Sequence, residues 1–150
     1  MNLDLRSPLF YKKINFLPFF LKIEQIPCPG IENSPCQPDE EILLCCELNP
    51  AQSRSIEPQT EHFLERLVFI GQTAKDAQQG ETVSLPAGHY LFAQRRCEAH
   101  LGQDEWLDMA IEQQKDGLWE RNKLKALLYV RFLQEDGAFV TQVFREVEGK

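Results

Sequence analysis

Glu81-Thr-Val-Ser-Leu-Pro-Ala-Gly-His-Tyr-Leu-Phe-Ala-Gln94 is the stretch that decides the fold. Its β-branched and aromatic residues favour extended backbone. Pro86-Ala-Gly88 predicts a bend in its middle, because proline removes a ladder donor and glycine adopts backbone conformations closed to other residues. The stretch opens a run to residue 148 whose local signals agree on strand, helix, strand and hairpin strand. Asp104 is the expected cap of the helix, with Glu105 and Asp108 in a first turn where carboxylates favour the positive end of the dipole. Trp106, Leu107, Ala110 and Ile111 form one apolar stripe, and Lys115 and Gly117 mark the expected stop. Leu124, Ala126, Leu128, Val130 and Phe132 then alternate with a mixed face, as in a strand covered by helix on one side only. Asp136-Gly137 predicts a type I′ hairpin turn, with Phe139–Val147 as the returning strand.

The upstream half carries weaker signals. Leu9–Ile26 is rich in Phe and Ile, with Pro18 permitting an edge strand but not a central one. Residues 28–38 are loop by their Pro and Gly content, and Glu41–Leu48, closed by Asn49-Pro50, is a buried strand. Gln52–Pro58 is a polar connector. Thr60 predicts the cap of a helix, since Phe63, Leu64, Leu67, Val68 and Ile70 follow at near-helical spacing; Leu67–Ile70 also suits a strand. Ala74–Gln79 reads as helix, stopped by Gly80. Residues 1–150 are therefore expected to form a single domain of α+β class: a curved antiparallel sheet with two helices on one face, containing at least one β-α-β-β half.

Composition narrows the function classes. A net charge of −7 over 150 residues, with no cluster of Lys and Arg, argues against a nucleic-acid-binding face. The most apolar N-terminal run, Ile14–Ile23, is interrupted by Asn15, Pro18 and Lys22 and falls short of the ~20 residues a membrane span needs. No export signal is expected, and five cysteines, an odd set, point to free thiols in the cytoplasm. Cys28, Cys36, Cys45 and Cys46 lack the tight paired spacing of a zinc site, and no metal or other cofactor is expected. Cys97 lies near His100 in sequence without a third orienting group, and the carboxylates offer no privileged acid–base pair, so catalysis has no positive signal.

Leu85-Pro-Ala-Gly-His-Tyr90, the helix, Leu128-Tyr-Val-Arg-Phe132 and Thr141-Gln-Val-Phe-Arg-Glu-Val147 together resemble half of a gyrase-inhibitor-like, or SOUL-type, small-molecule-binding domain over about residues 82–148. That family pairs two β-α-β-β halves and binds ligands in the groove between them. The resemblance implies that Tyr90 and Phe92 lie near such a groove, and it raises haem ligation by His89 as a weak option. Where many relatives place a strand glutamate that meets cationic ligands, this chain has Val130 and Arg131.

Several side chains suit the walls of such a groove. Trp106, Trp119 and Tyr129 suit an aromatic wall, although Trp106 on the helix stripe is as readily a core residue, and Tyr90 beside Phe92 pairs an apolar ring with a polar tip. Arg131, mid-strand among apolar neighbours, can hold a carboxylate or phosphate bidentately; equally, it can pair across the strands with an acidic side chain or Gln142. The polar run from Gln113 to Arg121 suits a protein-recognition surface or a solvated helix face. The leading expectation is a non-enzymatic small-molecule (effector) binding module with Tyr90, Phe92, Trp119, Tyr129 and Arg131 as ligand-binding residues. A protein-interaction module without ligand and a small hydrolase using the same groove are the alternatives.

Overall fold

The computed structural model describes residues 2–18, 21, 23, 32–34, 41–73 and 81–148. In chain order the strands are β1 (Asn2–Leu5), β2 (Leu9–Lys13), β3 (Phe16–Pro18), β4 (Glu32–Ser34), β5 (Ile42–Leu48), β6 (Leu64–Gln72), β7 (Thr82–Leu85) and β8 (Gly88–Cys97), followed by helix α1 (Gln103–Trp119), β9 (Leu124–Glu135) and β10 (Ala138–Val147). Eight of the strands form one curled antiparallel half-barrel in the order β1-β8-β10-β9-β5-β6-β2-β7; β3 and β4 pair in parallel apart from it. The predicted strand–helix–strand–hairpin unit is present as β8-α1-β9-β10.

The bend at Pro86-Ala-Gly88 does more than kink one strand. It sends β7 to one end of the sheet order and β8 to the position next to the other end. Arg6–Pro8 do the same between β1 and β2. The two crossing segments pair with each other on both sides of the kink, Leu5 opposite Gly88 and Leu9 opposite Leu85. A kinked two-stranded ribbon thereby joins the two ends of the curl. Gly88 sits at φ 157°, a conformation open to glycine, and the Tyr90 hydroxyl donates to the Pro86 carbonyl at 2.5 Å, fastening the kink.

Two apolar clusters lie on opposite faces of the sheet. On the helix face, Trp106, Leu107, Ala110 and Ile111 pack against Leu44, Leu128, Val130, Phe132 and Val143. On the concave face, Tyr11, Leu43, Cys45, Leu85, Tyr90, Tyr129 and Phe144 fill the curl. Alternation along β9 divides its residues between the two, as a strand period of two requires. Asp136 (φ 52°) and Gly137 (φ 79°) form the expected hairpin turn with positive φ at both positions.

Four expectations are corrected. The predicted helix after Thr60 is a single 3-10 turn, Thr60–His62, followed by strand β6. Among the described residues there is one α-helix on the sheet rather than two; the helix expected at Ala74–Gln79 lies outside them. Finally, α1 starts after Gly102 with no side-chain cap, so Asp104 lies in its first turn. Gly117 does not end the helix. It is buried inside the last turn, where a Cβ would overlap Leu91 Cδ1, and the chain leaves the helix through Arg121 at φ 65°.

Candidate functional site

The five expected ligand residues separate into three environments. Tyr90 and Tyr129 are core residues of the concave face, 1% and 3% exposed. Their rings meet edge to face at 6.1 Å, and Tyr90 meets Phe144 in the same way at 5.8 Å. Burial pushes both hydroxyls well above the ordinary tyrosine value. Phe92 packs partly into this cluster, tilted against Phe144 at 5.1 Å. Cys45 lies among the same rings, and burial pushes its thiol up to about 12, leaving it protonated and unreactive at neutral pH.

Arg131 belongs to this side of the molecule, and each of its three guanidinium nitrogens donates within its own chain. Its guanidinium forms an ion pair with Glu41 and donates to the Tyr11 hydroxyl at 3.0 Å and to Gln142 Oε1 at 3.0 Å. Gln142 in turn donates to Gln94 at 3.1 Å. Burial, opposed by the adjacent guanidinium, pushes the Tyr11 hydroxyl up to about 12. The guanidinium expected to hold an external anion is thus paired with Glu41, ninety positions upstream and just before β5.

Trp119 is set apart from the other aromatic residues. It is the last residue of α1, 83% exposed, and it stands beside an open cleft of about 500 Å³ between α1 and β8. Phe92 and Trp119 both line this cleft, and they are the two expected residues that share a site. Leu91, Met109 and Gly117 form its apolar floor; the contact of Gly117 with Leu91 is what lets the end of the helix settle on β8. The helix wall carries Asp108, Glu112, Asp116 and Glu120, all exposed and spaced by four, hence stacked on one side of α1. Glu112 is paired with Lys115 at 3.6 Å. On the strand wall Arg95 faces Glu105 at 3.8 Å. Residue composition hinted at this surface through the polar Gln113–Arg121 run, but the four-residue spacing of the acids, readable in the sequence, is the sharper signal.

Two details distinguish the cleft from an ordinary solvated face. Gln113, 8% exposed, lines it and donates to the Val143 carbonyl at 3.1 Å, while its own Oε1 has no partner among the described residues. A buried acceptor left without a donor costs on the order of 1–3 kcal/mol. In addition, β1 pairs with β8 only as far as Leu91, whereas β10 pairs with it through Cys97. Along Phe92–Cys97 the outer edge of β8 is therefore unpaired among the described residues.

The remaining candidates lie elsewhere. Cys97 ends β8, and His100 lies on the chain between β8 and α1, stacked edge to face on Phe132 at 5.7 Å and on Phe139 at 4.6 Å. His89 contacts Asp4 on the surface. Cys45, Cys46 and Cys97 are free thiols, and no cluster of potential metal ligands occurs among the described residues; Cys28 and Cys36 lie outside them. No helix among the described residues is long and apolar enough to cross a membrane. No family model, curated protein or solved structure matches this chain.

Proposed function

We propose that this chain is a non-enzymatic binding module that works through the cleft between α1 and β8, and that its ligand is a segment of a protein partner. One observation carries the proposal: an exposed Trp119 beside an open cleft whose helix wall is a stack of carboxylates. Large aromatic residues are the usual anchors of binding interfaces, and leaving an indole 83% exposed forgoes the burial that Trp normally gains. The concave face supports binding less well, since its rings fill it and Arg131 is already held by Glu41.

A second reading keeps the small-molecule effector role expected from the gyrase-inhibitor-like resemblance. A volume of about 500 Å³, with Phe92, Met109 and Trp119 on its walls, lies within the range of small-molecule sites. Tyr90, Tyr129 and Arg131 then support the cleft from behind the sheet rather than touching ligand. The free thiols fit a cytoplasmic setting.

Both readings are tested by titrating isotope-labelled protein with panels of peptides and metabolites while following its amide and indole resonances. The expected outcome is a ligand that shifts the Trp119 indole and the amides of Ala93, Arg95, Met109 and Asp116, leaving the buried Trp106 indole still. If the tightest ligand instead perturbs Glu41 and Arg131, the cleft assignment is wrong.

A further inference from the structure

We propose that the occupant of the α1–β8 cleft is an extended, lysine- or arginine-bearing segment of another protein, added as a strand along Phe92–Cys97 of β8. This rests on the cleft being the binding site, and it names the chemistry of the partner.

Three independent features of the cleft converge on that occupant. The edge of β8 along Phe92–Cys97, unpaired among the described residues, presents alternate N–H and C=O groups to one side, and an extended peptide is the ligand that satisfies such an edge through its own backbone. A strand laid there turns alternate side chains towards the flank of α1. That flank carries Asp108, Asp116 and Glu120, none of which has a cationic partner among the described residues. Cationic side chains at alternate positions complement this wall, and Trp119 at its end offers an aromatic face to the last of them. Gln113, which lines the cleft, also carries a buried Oε1 without a partner among the described residues, an acceptor that suits a donor-rich ligand.

A second copy of this chain fits less well. Each copy carries a net charge of −7, so self-association sets two acidic molecules against each other. An acidic or neutral strand satisfies the β8 edge but leaves the carboxylates facing like charge or nothing.

The experiment uses the full chain and a fluorescein-labelled peptide of alternating lysine and valine, followed by anisotropy. Saturable binding is expected, weakening as salt is raised because exposed charges are screened. Asp116→Lys with Glu120→Lys is expected to weaken it by about tenfold or more, and Trp119→Ala by several-fold. These positions are exposed, so circular dichroism and thermal unfolding should show both variants folded as the parent. A peptide N-methylated at alternate residues keeps the charge but cannot complete the ladder, and it is expected not to bind.

Equal binding of the N-methylated peptide overturns strand addition, and binding indifferent to the charge reversals overturns the acidic wall. Concentration-dependent dimerisation abolished by Trp119→Ala makes the occupant a second copy and overturns the proposal. If the lysine peptide fails while another ligand shifts the Trp119 indole, the cleft stands as the site and its basic-segment occupant falls.

Discussion

Arg145 is 1% exposed and has no carboxylate partner among the described residues, so replacing it tests how a buried cation is held in this fold. Its guanidinium donates to the Lys125 carbonyl at 2.5 Å, to Gln114 Oε1 at 2.7 Å and to the Ser53 carbonyl at 2.8 Å. Gln114 extends the network by donating to the carbonyls of Gln52 and Ser55, each at 2.8 Å. One guanidinium thus ties β9, α1 and the loop after β5 to β10. Hydrogen bonds to a charged group contribute about 1.5–3 kcal/mol each, so three of them give roughly 6 kcal/mol. Against this stands desolvation, which pushes the side chain down from its ordinary value to about 10. At ~1.4 kcal/mol per pH unit that penalty is roughly 3 kcal/mol.

Arg145→Met keeps an unbranched apolar stem, relieves the desolvation and strands three acceptors. The expected loss is therefore about 3 kcal/mol, or a fall in Tm of roughly 6–12 °C for a chain of this size. Urea unfolding followed by far-ultraviolet circular dichroism measures it, with the slope in urea checked for constancy so that the midpoint shift reports stability alone. Gln114→Leu, and the double variant, complete a cycle whose coupling is expected to exceed ~1 kcal/mol because the two side chains share one network. Stability of Arg145→Met within ~0.5 kcal/mol of the parent, or above it, refutes the reasoning: desolvation would then match or outweigh the bonds, as for buried ion pairs better replaced by apolar groups.

Three further outcomes follow from the same geometry. Burial lowers the His100 imidazole to about 4, so the unfolded chain takes up its proton first; stability is full above about pH 6.5 and drains as pH falls towards 4, and His100→Phe is expected to flatten that part of a pH–stability profile. Gly117→Ala gains helix propensity of ~1 kcal/mol but drives a Cβ into Leu91 Cδ1, and a net loss of about 1 kcal/mol is expected by urea unfolding, with Leu91→Ala in the same chain removing the clash contribution. Glu41→Gln and Arg131→Ala are expected to couple by about 1 kcal/mol in a double-mutant cycle, since both side chains are largely but not wholly withdrawn from water.

The helix mispredicted after Thr60 shows why part of this fold was hidden in the sequence. Ile70, Leu67 and Leu64 recur every third residue, which mimics one face of a helix. Their partners on β5 are Leu44, Cys46 and Leu48, which recur every second residue. Two register shifts in the β5–β6 pairing, between Cys45 and Cys46 and between Glu47 and Leu48, each add a residue to β6 and stretch a strand period of two into an apparent three. No local signal distinguishes that pattern from a helix; only the neighbouring strands do. The β8-α1-β9-β10 unit was legible because stripe, alternation and the Asp136-Gly137 turn are all local and agree. The closure of the curl was not, because it depends on residues 2–13 meeting residues 81–91. The same division runs through the site. Arg131 looked available because its acid, Glu41, is remote in sequence. Trp119 and the acids spaced by four lie on one helix and were readable. Their importance came from what the sequence could not display, the edge of β8, unpaired among the described residues, running alongside them. A binding surface made of one local element and one long-range vacancy is half visible in principle, and the visible half here is the wall that selects charge.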